Sequence, residues 1–359
     1  MPASTNSSPA HSTLQATLDR LTRPAQLVES LKESRVCCLA CGHRCRIPDG
    51  RRGICRVRYN DGGVLQAPYG YVAGLHKDPI EKKPFYHFLP GTNGLTFGML
   101  GCCFHCPFCQ NWISSQALRD ERAGIAPDEI TVEQVMETAQ RTRSKTVVSS
   151  YNEPLITAEW AVEIFKQARE AGLRTACVSN GNATPEVLDY LRPHTDGFKV
   201  DLKSMNDRTY RRLGGVRHNV LDTIQQAWDL GFWVEVVTLV VPGLNDTDEE
   251  LQSIAAFIAG VSPDIPWHVT AFHRDYKLLS GKNTSVRQLL RAWELGRQAG
   301  LNYVYGGNLP GEVPEMENTY CPACDATLIR RVGYYILDNH ITPDDKCSEC
   351  GTKIPGVWA

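Results

Sequence analysis

No apolar segment of this 359-residue sequence approaches the roughly 20 residues that a membrane-spanning helix needs. The longest candidate, Val234 to Val241, contains Glu235 and Thr238 and stops at Pro242. The net charge is also small, because 38 Lys and Arg stand against 40 Asp and Glu and give a formal charge of −2. Without an excess of positive charge the chain lacks the electrostatic attraction of dedicated nucleic-acid binders. We therefore expect a soluble protein that binds neither a membrane nor nucleic acid.

The N-terminal segment has few of the features that would order it or target it. Residues 1–13 contain no large apolar residue beyond Met1 and are rich in Ser, Thr and Pro, which predicts a disordered tail. No Lys or Arg precedes Arg20, which argues against a transit peptide. For residues 1–34 we expect this tail followed by a short amphipathic helix around Leu27 to Lys32.

Cysteine, in contrast, is abundant, with 14 residues. A secreted protein would spread disulfides through a small scaffold behind a signal peptide. Here twelve of the cysteines fall in three tight groups. The other two are Cys177, which stands alone, and one of the adjacent pair Cys37 and Cys38. Such grouping indicates metal binding in a reducing compartment, so we expect a cytoplasmic protein.

The central group lies in Gly101 to Trp112, where Cys102, Cys106 and Cys109 are spaced C-x3-C-x2-C. This spacing lets three thiolates surround one metal centre, with no fourth ligand nearby at a matching spacing. A structural zinc ion takes four ligands, as does an electron-transfer 4Fe-4S cluster, so three cysteines leave one metal position open for a substrate or cofactor. A zinc site completed by His105 or by a distant residue is the alternative.

The first group consists of Cys38, Cys41, Cys45 and Cys55, with Cys37 as a possible substitute for its neighbour. Four thiols within a short, glycine-containing segment predict a closed zinc site. A second iron-sulfur cluster is the rival interpretation.

The third group is a pair of C-x2-C knuckles, formed by Cys321 with Cys324 and by Cys347 with Cys350. Strand-like residues separate the two knuckles, which is typical of a zinc ribbon with a structural metal. We expect the ribbon to cap the neighbouring domain or to dock a partner.

Between these groups the chain alternates short β-branched runs with amphipathic helices, which predicts an α/β fold. The predicted strands are Leu95 to Leu100, Thr146 to Val148, Thr175 to Val178, Gly197 to Val200, Trp233 to Val241, Trp267 to Phe272 and Tyr303 to Tyr305. We expect a parallel sheet, curled or closed as a (β/α) barrel, over residues 93–310. A Cys-rich module and connector would precede it at residues 35–92, and the ribbon would follow at residues 311–359.

The connector from Asp78 to Thr92 is broken by prolines and predicts irregular structure. It either simply leads into the sheet or covers the central cysteine loop with Lys82, Lys83 and His87.

Polar residues follow strand after strand along the predicted barrel. They are Ser150 to Pro154, Ser179 to Asn182, Asp201 to Lys203, Pro242 to Asp246, and His273 with Arg274. The carboxyl ends of parallel strands meet at one face, which is where barrel enzymes have their active sites. Their joint placement, together with the cysteine loop after the first strand, predicts an active site at that face.

The cysteine loop, with Phe108 before its last cysteine, resembles the signature of the radical S-adenosylmethionine (radical SAM) enzymes. The resemblance implies a partial (β/α) barrel and a 4Fe-4S cluster on Cys102, Cys106 and Cys109. It also implies that the open iron chelates S-adenosylmethionine, that an electron donor reduces the cluster, and that cleavage yields a 5'-deoxyadenosyl radical for hydrogen abstraction.

The polar strand ends resemble the cofactor-binding elements of the radical enzymes that activate glycyl-radical proteins. By that resemblance Asn152 and Glu153 receive the amino group of S-adenosylmethionine. The residues implied to contact its methionine and ribose are Ser179, Asn180, Asp201, Lys203 and His268. The activases typically have Gly-Gly-Glu-Pro where this chain has Tyr151 to Pro154, so the close backbone approach that glycine allows is not expected here.

Over nearly the whole chain after residue 35 the sequence resembles the radical SAM enzymes of the AmmeMemoRadiSam system. The strings that carry this resemblance are Asp78 to Pro84, Tyr86 to Gly91, Cys109 to Trp112, Tyr151 to Pro154 and Ile354 to Trp358, besides the first cysteine group. The family implies partners that resemble Memo and AMMECR-type proteins, but it supplies no substrate. A glycyl-radical activase is the alternative within the enzymes. An iron-sulfur electron carrier and a zinc-binding adaptor are the non-catalytic alternatives.

Overall fold

The computed structural model of the protein describes residues 9–359, and its first part is a small β-rich module. In chain order its elements are helix α1 (Pro9–Arg20) and strands β1 (Thr22–Pro24), β2 (Val28–Ser30), β3 (Val36–Cys38), β4 (Arg46–Ile47), β5 (Tyr59–Asp61), β6 (Val64–Pro68) and β7 (Tyr71–Val72). Antiparallel pairing joins β2, β3 and β4 in one small sheet and β1, β6 and β5 in another.

Two expectations for residues 1–34 need correction. Residues 1–8 of the expected disordered tail lie outside the described residues. Residues 9–13, which were also expected to be disordered, belong to helix α1. The segment Leu27 to Lys32, for which a short helix was expected, contains strand β2 instead. Backbone pairing of Val28 with Cys38 explains the strand, because tertiary pairing overrides the weak helical pattern of a six-residue segment.

From residue 74 to residue 307 strands and helices alternate, as the sequence predicts. The elements are β8 (Gly74–Pro79), β9 (Asn93–Gly98), α2 (Trp112–Ser115), β10 (Asp128–Glu129), α3 (Val132–Arg141), β11 (Thr146–Ser149), α4 (Ala158–Glu170), β12 (Arg174–Ser179), α5 (Pro185–Leu191), β13 (Gly197–Asp201), α6 (Asp207–Leu213), α7 (Arg217–Asp229), β14 (Trp233–Val240), α8 (Asp248–Val261), β15 (Trp267–Ala271), α9 (Val286–Gln298) and β16 (Val304–Gly307). Short 3-10 helices occur at Ile80–Lys82, Pro154–Thr157 and Arg192–His194.

The central sheet has eight strands in the order β16, β15, β14, β13, β12, β11, β9, β8. Every neighbouring pair from β9 to β16 is parallel, whereas β8 pairs antiparallel with β9 at the edge. Within the described residues the edge strands β8 and β16 do not pair, so the sheet is an open, partial barrel. The predicted α/β fold is confirmed, and the sheet begins earlier than the expected residue 93 because β8 joins it.

The helices begin where capping residues predict. Thr131 and Gln134 form a capping box at the start of α3, and the side chain of Thr247 caps α8. The apolar face of α8 is buried against its neighbours through Leu251, Ile254 and Ile258. No helix in the described part of the chain is both long enough and apolar enough to cross a membrane.

A buried carboxylate holds the connector after β8 against the sheet. Glu235 on β14 accepts hydrogen bonds from the backbone nitrogens of Tyr86 and His87, from Trp233 Nε1 at 2.9 Å, and from His268 Nε2 at 2.6 Å. Lys83 is also buried, with its Nζ 2.8 Å from Asp78. Of the two roles considered for the connector, covering the cysteine loop with Lys82, Lys83 and His87 is supported by no described contact, because ion pairs with Asp78 hold both lysines and His87 lies in a buried network.

The C-terminal part consists of α10 (Pro314–Glu317), β17 (Thr319–Tyr320), β18 (Thr327–Val332) and β19 (Tyr335–Asn339). The three strands form an antiparallel sheet in the order β17, β18, β19. The chain end returns to the connector, where the backbone nitrogen of Val357 donates to His87 O at 2.8 Å. His87 Nδ1 also lies 2.7 Å from Pro355 O, so the connector joins the C-terminal part to the barrel.

Candidate metal and cofactor site

The central cysteine loop connects the end of β9 to helix α2. It turns at Gly101, whose φ of 94° favours glycine and where an added Cβ would lie 2.9 Å from the side chain of Val57. The nitrogen of Gly101 donates to Ser114 O at 3.0 Å, and its carbonyl accepts from Glu153 N at 3.4 Å. The loop is thus tied to both α2 and the end of β11.

The three predicted cluster cysteines lie in this loop with their sulfurs facing one region. Cys106 is buried, whereas Cys102 and Cys109 are half-buried, and Cys109 Sγ lies 3.2 Å from Ser115 Oγ. Burial raises the pKa of Cys106 to about 12, while the nearby Lys203 ammonium acts in the opposite direction. The Cys106 thiol interacts electrostatically with those of Cys102 and Cys109, so the three thiols share one region that a cation borders.

The spacing of these sulfurs distinguishes the loop from a single-ion site. Among the described residues, one group of ligand atoms within 4.8 Å of one another consists of Cys102, Cys103 and Glu153, and Cys106 and Cys109 are not part of it. Thiolates on a 4Fe-4S cluster bind different irons, so their sulfurs are farther apart than those around one ion. Cys102, Cys106 and Cys109 therefore do not form the compact group that one ion requires.

Glu153 is a buried carboxylate beside the loop, with 2% of its surface exposed. Its oxygens accept hydrogen bonds from Ser179 Oγ at 2.7 Å and from the backbone nitrogen of Asn180 at 2.8 Å. Burial raises the pKa of Glu153 to about 7, despite these hydrogen bonds. Its hydrogen-bond donors are neutral groups, so the site is suited to a positively charged ligand.

Two asparagines at neighbouring strand ends also reach the loop. Asn152 Oδ1 accepts a hydrogen bond of 2.9 Å from Met99 N. Asn180 Nδ2 lies 3.3 Å from Cys103 Sγ and 3.7 Å from Cys102 Sγ. The structure therefore brings Asn152, Glu153, Ser179 and Asn180 together with the loop, as the sequence predicts for strand ends.

Asp201 and Lys203 form a charged group at the end of β13. Lys203 Nζ lies 3.0 Å from Asp201, and Lys199 Nζ lies 2.7 Å from its other oxygen. Burial opposes ionisation of Asp201, but the two ammonium groups hold its pKa well below the usual range. The sequence analysis missed Lys199, although its position two residues before Asp201 on one strand places both side chains on the same face.

His268 and Phe108 are the remaining residues that the sequence analysis associates with the cofactor. The hydrogen bond of His268 goes to Glu235, and its ring contacts Tyr86 and Tyr305 at centroid distances of 4.8 and 5.2 Å. This environment is that of a hydrogen-bonded core histidine, and the assignment of His268 to cofactor contact stays a prediction without a described contact to support it. Phe108 is buried in the main apolar core.

An arginine outside every recognised sequence motif fixes the loop backbone. Arg119 donates to the carbonyls of Phe104 at 2.6 Å and Cys102 at 3.0 Å, and also to Ile54 O in the N-terminal module. Arg119 follows α2 and belongs to no sequence motif, so motif spacing could not have predicted this role.

His273 belongs to one of the polar strand ends predicted from the sequence. Its Nε2 lies 2.8 Å from Nε2 of Gln110, which follows the last cysteine of the loop.

The two remaining cysteine groups differ in compactness. The sulfurs of Cys321, Cys324, Cys347 and Cys350 all lie within 4.8 Å of one another and can hold one metal ion. In the first group, Cys38, Cys41 and Cys55 are buried and Cys45 is half-buried. Within the described residues, no three sulfurs of this group lie within 4.8 Å of one another.

Comparisons with known proteins agree with this site. A sequence profile of the Radical SAM superfamily matches residues 97–258, which include the loop and the strand ends. The uncharacterized protein MJ0808 of Methanocaldococcus jannaschii is 38% identical over 338 residues, which cover 92% of this chain and 98% of that protein. Pyruvate formate-lyase 1-activating enzyme of Escherichia coli K12 is 27% identical over 209 residues, 53% of this chain and 82% of that enzyme.

Among solved structures, a radical SAM methyltransferase from Sphaerobacter thermophilus is 18% identical with a TM-score of 0.47, covering 62% of this chain and 68% of that one. The profile match covers the three-cysteine loop, and the archaeal relative is similar over almost its whole length. This chain belongs to the Radical SAM superfamily.

Proposed function

We propose that this protein cleaves S-adenosylmethionine reductively at a 4Fe-4S cluster held by Cys102, Cys106 and Cys109, and uses the radical to abstract hydrogen from a substrate. The observation that carries the proposal is the position of Glu153. Its carboxylate is buried, has neutral hydrogen-bond donors and lies within 4.8 Å of Cys102 Sγ. A ligand that carries an ammonium group beside the cluster would satisfy this carboxylate.

The residues present fit both groups. Three thiols on one loop leave one iron of a 4Fe-4S cluster without a protein ligand, and Lys203 borders the negative charge that thiolates and cluster would carry. When bound, the cluster supplies the electron that breaks the sulfonium bond of S-adenosylmethionine. The protein's own contribution is to bind and orient the cofactor in this partly buried site.

Each strand end has a separate task in this proposal. Glu153, held by Ser179, receives the amino group, and Asn152 fixes the start of the loop through Met99 N. The side chain of Asn180 orients the Cys102 side of the loop. Asp201 and Lys203 provide paired charges for the polar part of the methionine and the ribose.

We also propose zinc for the C-terminal four-cysteine group. Tetrahedral thiolates at a Zn–S distance of about 2.3 Å have sulfurs about 3.8 Å apart. The sulfurs of Cys321 and Cys350 lie 3.6 Å apart, and those of Cys324 and Cys347 lie 3.7 Å apart. Four thiolates close the coordination shell, so this metal would be structural.

For the substrate, we propose that a partner protein delivers or completes it. Two cysteine modules flank the barrel, and the sequence resembles a family that acts with Memo-like and AMMECR-like proteins. Isolated enzyme should then form 5'-deoxyadenosine slowly, and adding this pair of proteins from the same organism should accelerate its formation and produce a new labelled molecule. No acceleration by the pair would contradict this part of the proposal.

A glycyl-radical activase is the second candidate, favoured by the similarity to pyruvate formate-lyase 1-activating enzyme. An activase would form a stoichiometric glycyl radical on a target protein without the partner pair, which electron paramagnetic resonance detects. An electron carrier or a zinc-binding adaptor would leave S-adenosylmethionine intact under the same anaerobic, reducing conditions. The products formed therefore separate the two enzymatic functions from each other and from the two non-catalytic ones.

A further inference from the structure

The N-terminal cysteines are less compact than the C-terminal group. The four C-terminal sulfurs lie within 4.8 Å of one another, as one metal ion requires. Within the described residues, no three sulfurs of Cys38, Cys41, Cys45 and Cys55 do so. The same holds for the three cysteines of the central loop, for which superfamily membership implies a 4Fe-4S cluster. The N-terminal quartet therefore lacks the compactness that one metal ion requires, in contrast to the C-terminal group.

The four N-terminal thiols nevertheless face one another. The sulfur of Cys38 interacts with those of Cys41 and Cys55, and the sulfur of Cys45 interacts with those of Cys41, Cys55 and Cys37. Cys37 is on the opposite face of strand β3, where its thiol donates to Arg44 O at 3.6 Å. We therefore assign Cys38, rather than Cys37, to the quartet.

A buried cation accompanies this quartet. Arg58 is fully buried, its Nη1 lies 4.0 Å from Cys38 Sγ, and it is paired with Glu159. A guanidinium in this position compensates part of the negative charge that four thiolates and their metal centre would carry.

The quartet also touches the radical SAM loop through one thiol. Cys103, fully buried, is hydrogen-bonded through its sulfur to both Cys41 and Cys102. The quartet loop is docked over the end of β12, since Gly42 N donates to Asn182 O at 2.8 Å. On the outer side Cys45 is half-buried and accepts from Ile54 N at 3.4 Å. One edge of the quartet therefore faces the loop and the other faces the surface.

We propose that Cys38, Cys41, Cys45 and Cys55 hold a second 4Fe-4S cluster that passes electrons to the cluster of the central loop. One electron from a low-potential donor protein reduces the second cluster at its Cys45 side, and transfer past Cys41 and Cys103 reoxidises it. Electron transfer to the central cluster rests on the proposed function. The presence of a cluster on the quartet does not depend on that function.

Metal analysis of anaerobically reconstituted, desalted protein tests the site. Two clusters and one ribbon site give about eight iron atoms and about one zinc per chain. Cys38→Ser should reduce the iron to about four, and Cys37→Ser, the matched neighbour on the other face of β3, should retain about eight. About four iron atoms and two zinc ions in the wild-type chain would overturn the proposal in favour of a zinc quartet.

A second variant keeps the test decisive if Cys38→Ser fails to fold. Replacing Cys102, Cys106 and Cys109 together by Ala removes the radical cluster and should leave about four iron atoms, with the resonance of a reduced 4Fe-4S cluster. Absence of iron from this folded variant would overturn the proposal and leave the function of the central loop untouched.

The electron path has its own readout, which does not depend on turnover. With both clusters reduced, the wild-type electron paramagnetic resonance spectrum should show spin–spin coupling and differ from the sum of the two single-cluster variants. A spectrum equal to that sum would contradict electron transfer between adjacent clusters.

Discussion

Ser179 Oγ donates a hydrogen bond of 2.7 Å to Oε1 of Glu153. Glu153 follows strand β11 and Ser179 is the last residue of β12, and the two meet because those strands are parallel neighbours. Together with the Asn180 nitrogen on the other carboxylate oxygen, this bond directs Glu153 toward the cysteine loop. The cofactor-binding part of the account depends on this carboxylate.

Glu153→Gln should weaken the binding of S-adenosylmethionine to the reconstituted protein by about tenfold to a hundredfold, because a neutral amide replaces a charge-assisted hydrogen bond. Anaerobic equilibrium dialysis measures the affinity. Glu81→Gln is the control, since Glu81 is also buried but accepts its hydrogen bond from Gly91 N in the connector. Equal affinities in wild type and Glu153→Gln would exclude the assigned role.

Alanine at Cys102, Cys106 or Cys109 should remove the cluster of the central loop and abolish cleavage of S-adenosylmethionine. Cys103→Ala should retain the iron of that loop, because Cys103 is outside the C-x3-C-x2-C spacing. Iron content and the absorption of the cluster measure the outcome. If Cys103→Ala lost the cluster while Cys102→Ala kept it, the ligand assignment would have to be exchanged.

Cys324→Ser should lower the zinc content from about one per chain and reduce stability and solubility before it affects iron content. The reason is that the closed four-thiolate site holds together loops on both sides of the small C-terminal sheet. Zinc and iron are measured on the same sample. A wild-type chain that is folded but carries less than one zinc would contradict a structural zinc site.

Glu159→Gln should destabilise the fold by about 3–5 kcal/mol, because it leaves the buried Arg58 guanidinium without its charged partner. The exposed pair of Arg44 and Glu186 provides the matched control, and Glu186→Gln should cost less than about 1 kcal/mol. Urea unfolding of each metal-loaded variant measures both changes. Similar losses for the two variants would show that burial does not govern the contribution of the Arg58 pair.

His87 should make the fold sensitive to acid. Burial lowers the pKa of His87 to about 4 from an ordinary value of 6.5, so the folded state keeps this side chain neutral. Between those pH values the unfolded chain binds the proton and the folded chain does not, so stability falls as the pH falls through this window. The full effect is about 3 kcal/mol.

The His87→Gln variant should show a smaller loss of unfolding free energy between pH 7 and pH 4.5 than the wild type does. His76→Gln, at an exposed histidine on strand β8, is the control. Parallel pH profiles for wild type and His87→Gln would contradict the buried, neutral assignment.

The sequence predicted most of the fold because its signals are local. Each predicted parallel strand is a β-branched or aromatic run, and polar residues such as Glu153 and Asn180 follow the strands directly, where a parallel sheet gathers them at one face. Strand β8 was missed because its pairing with β9 depends on the backbone of a distant segment and its side chains show no clear alternation.

The parts that could not be predicted are contacts between distant segments. The hydrogen bond of Cys103 to Cys41 joins residues from two modules, and nothing in the spacing of either motif encodes it. His268 satisfies a family pattern, but whether it faces a ligand or Glu235 depends on a carboxylate 33 positions away. His87 was expected at the cysteine loop and lies against Tyr305, because the connector folds under the C-terminal part.

The most direct test of the central claim is to quantify 5'-deoxyadenosine formed by the anaerobically reconstituted protein with S-adenosylmethionine and a low-potential reductant. Cys106→Ala, reconstituted in parallel, is the control that lacks one ligand of the loop cluster. The account predicts reductant-dependent 5'-deoxyadenosine and methionine from the wild type and none above background from Cys106→Ala. Intact S-adenosylmethionine after incubation with wild-type protein that carries its full iron, or equal cleavage by the two proteins, would contradict it.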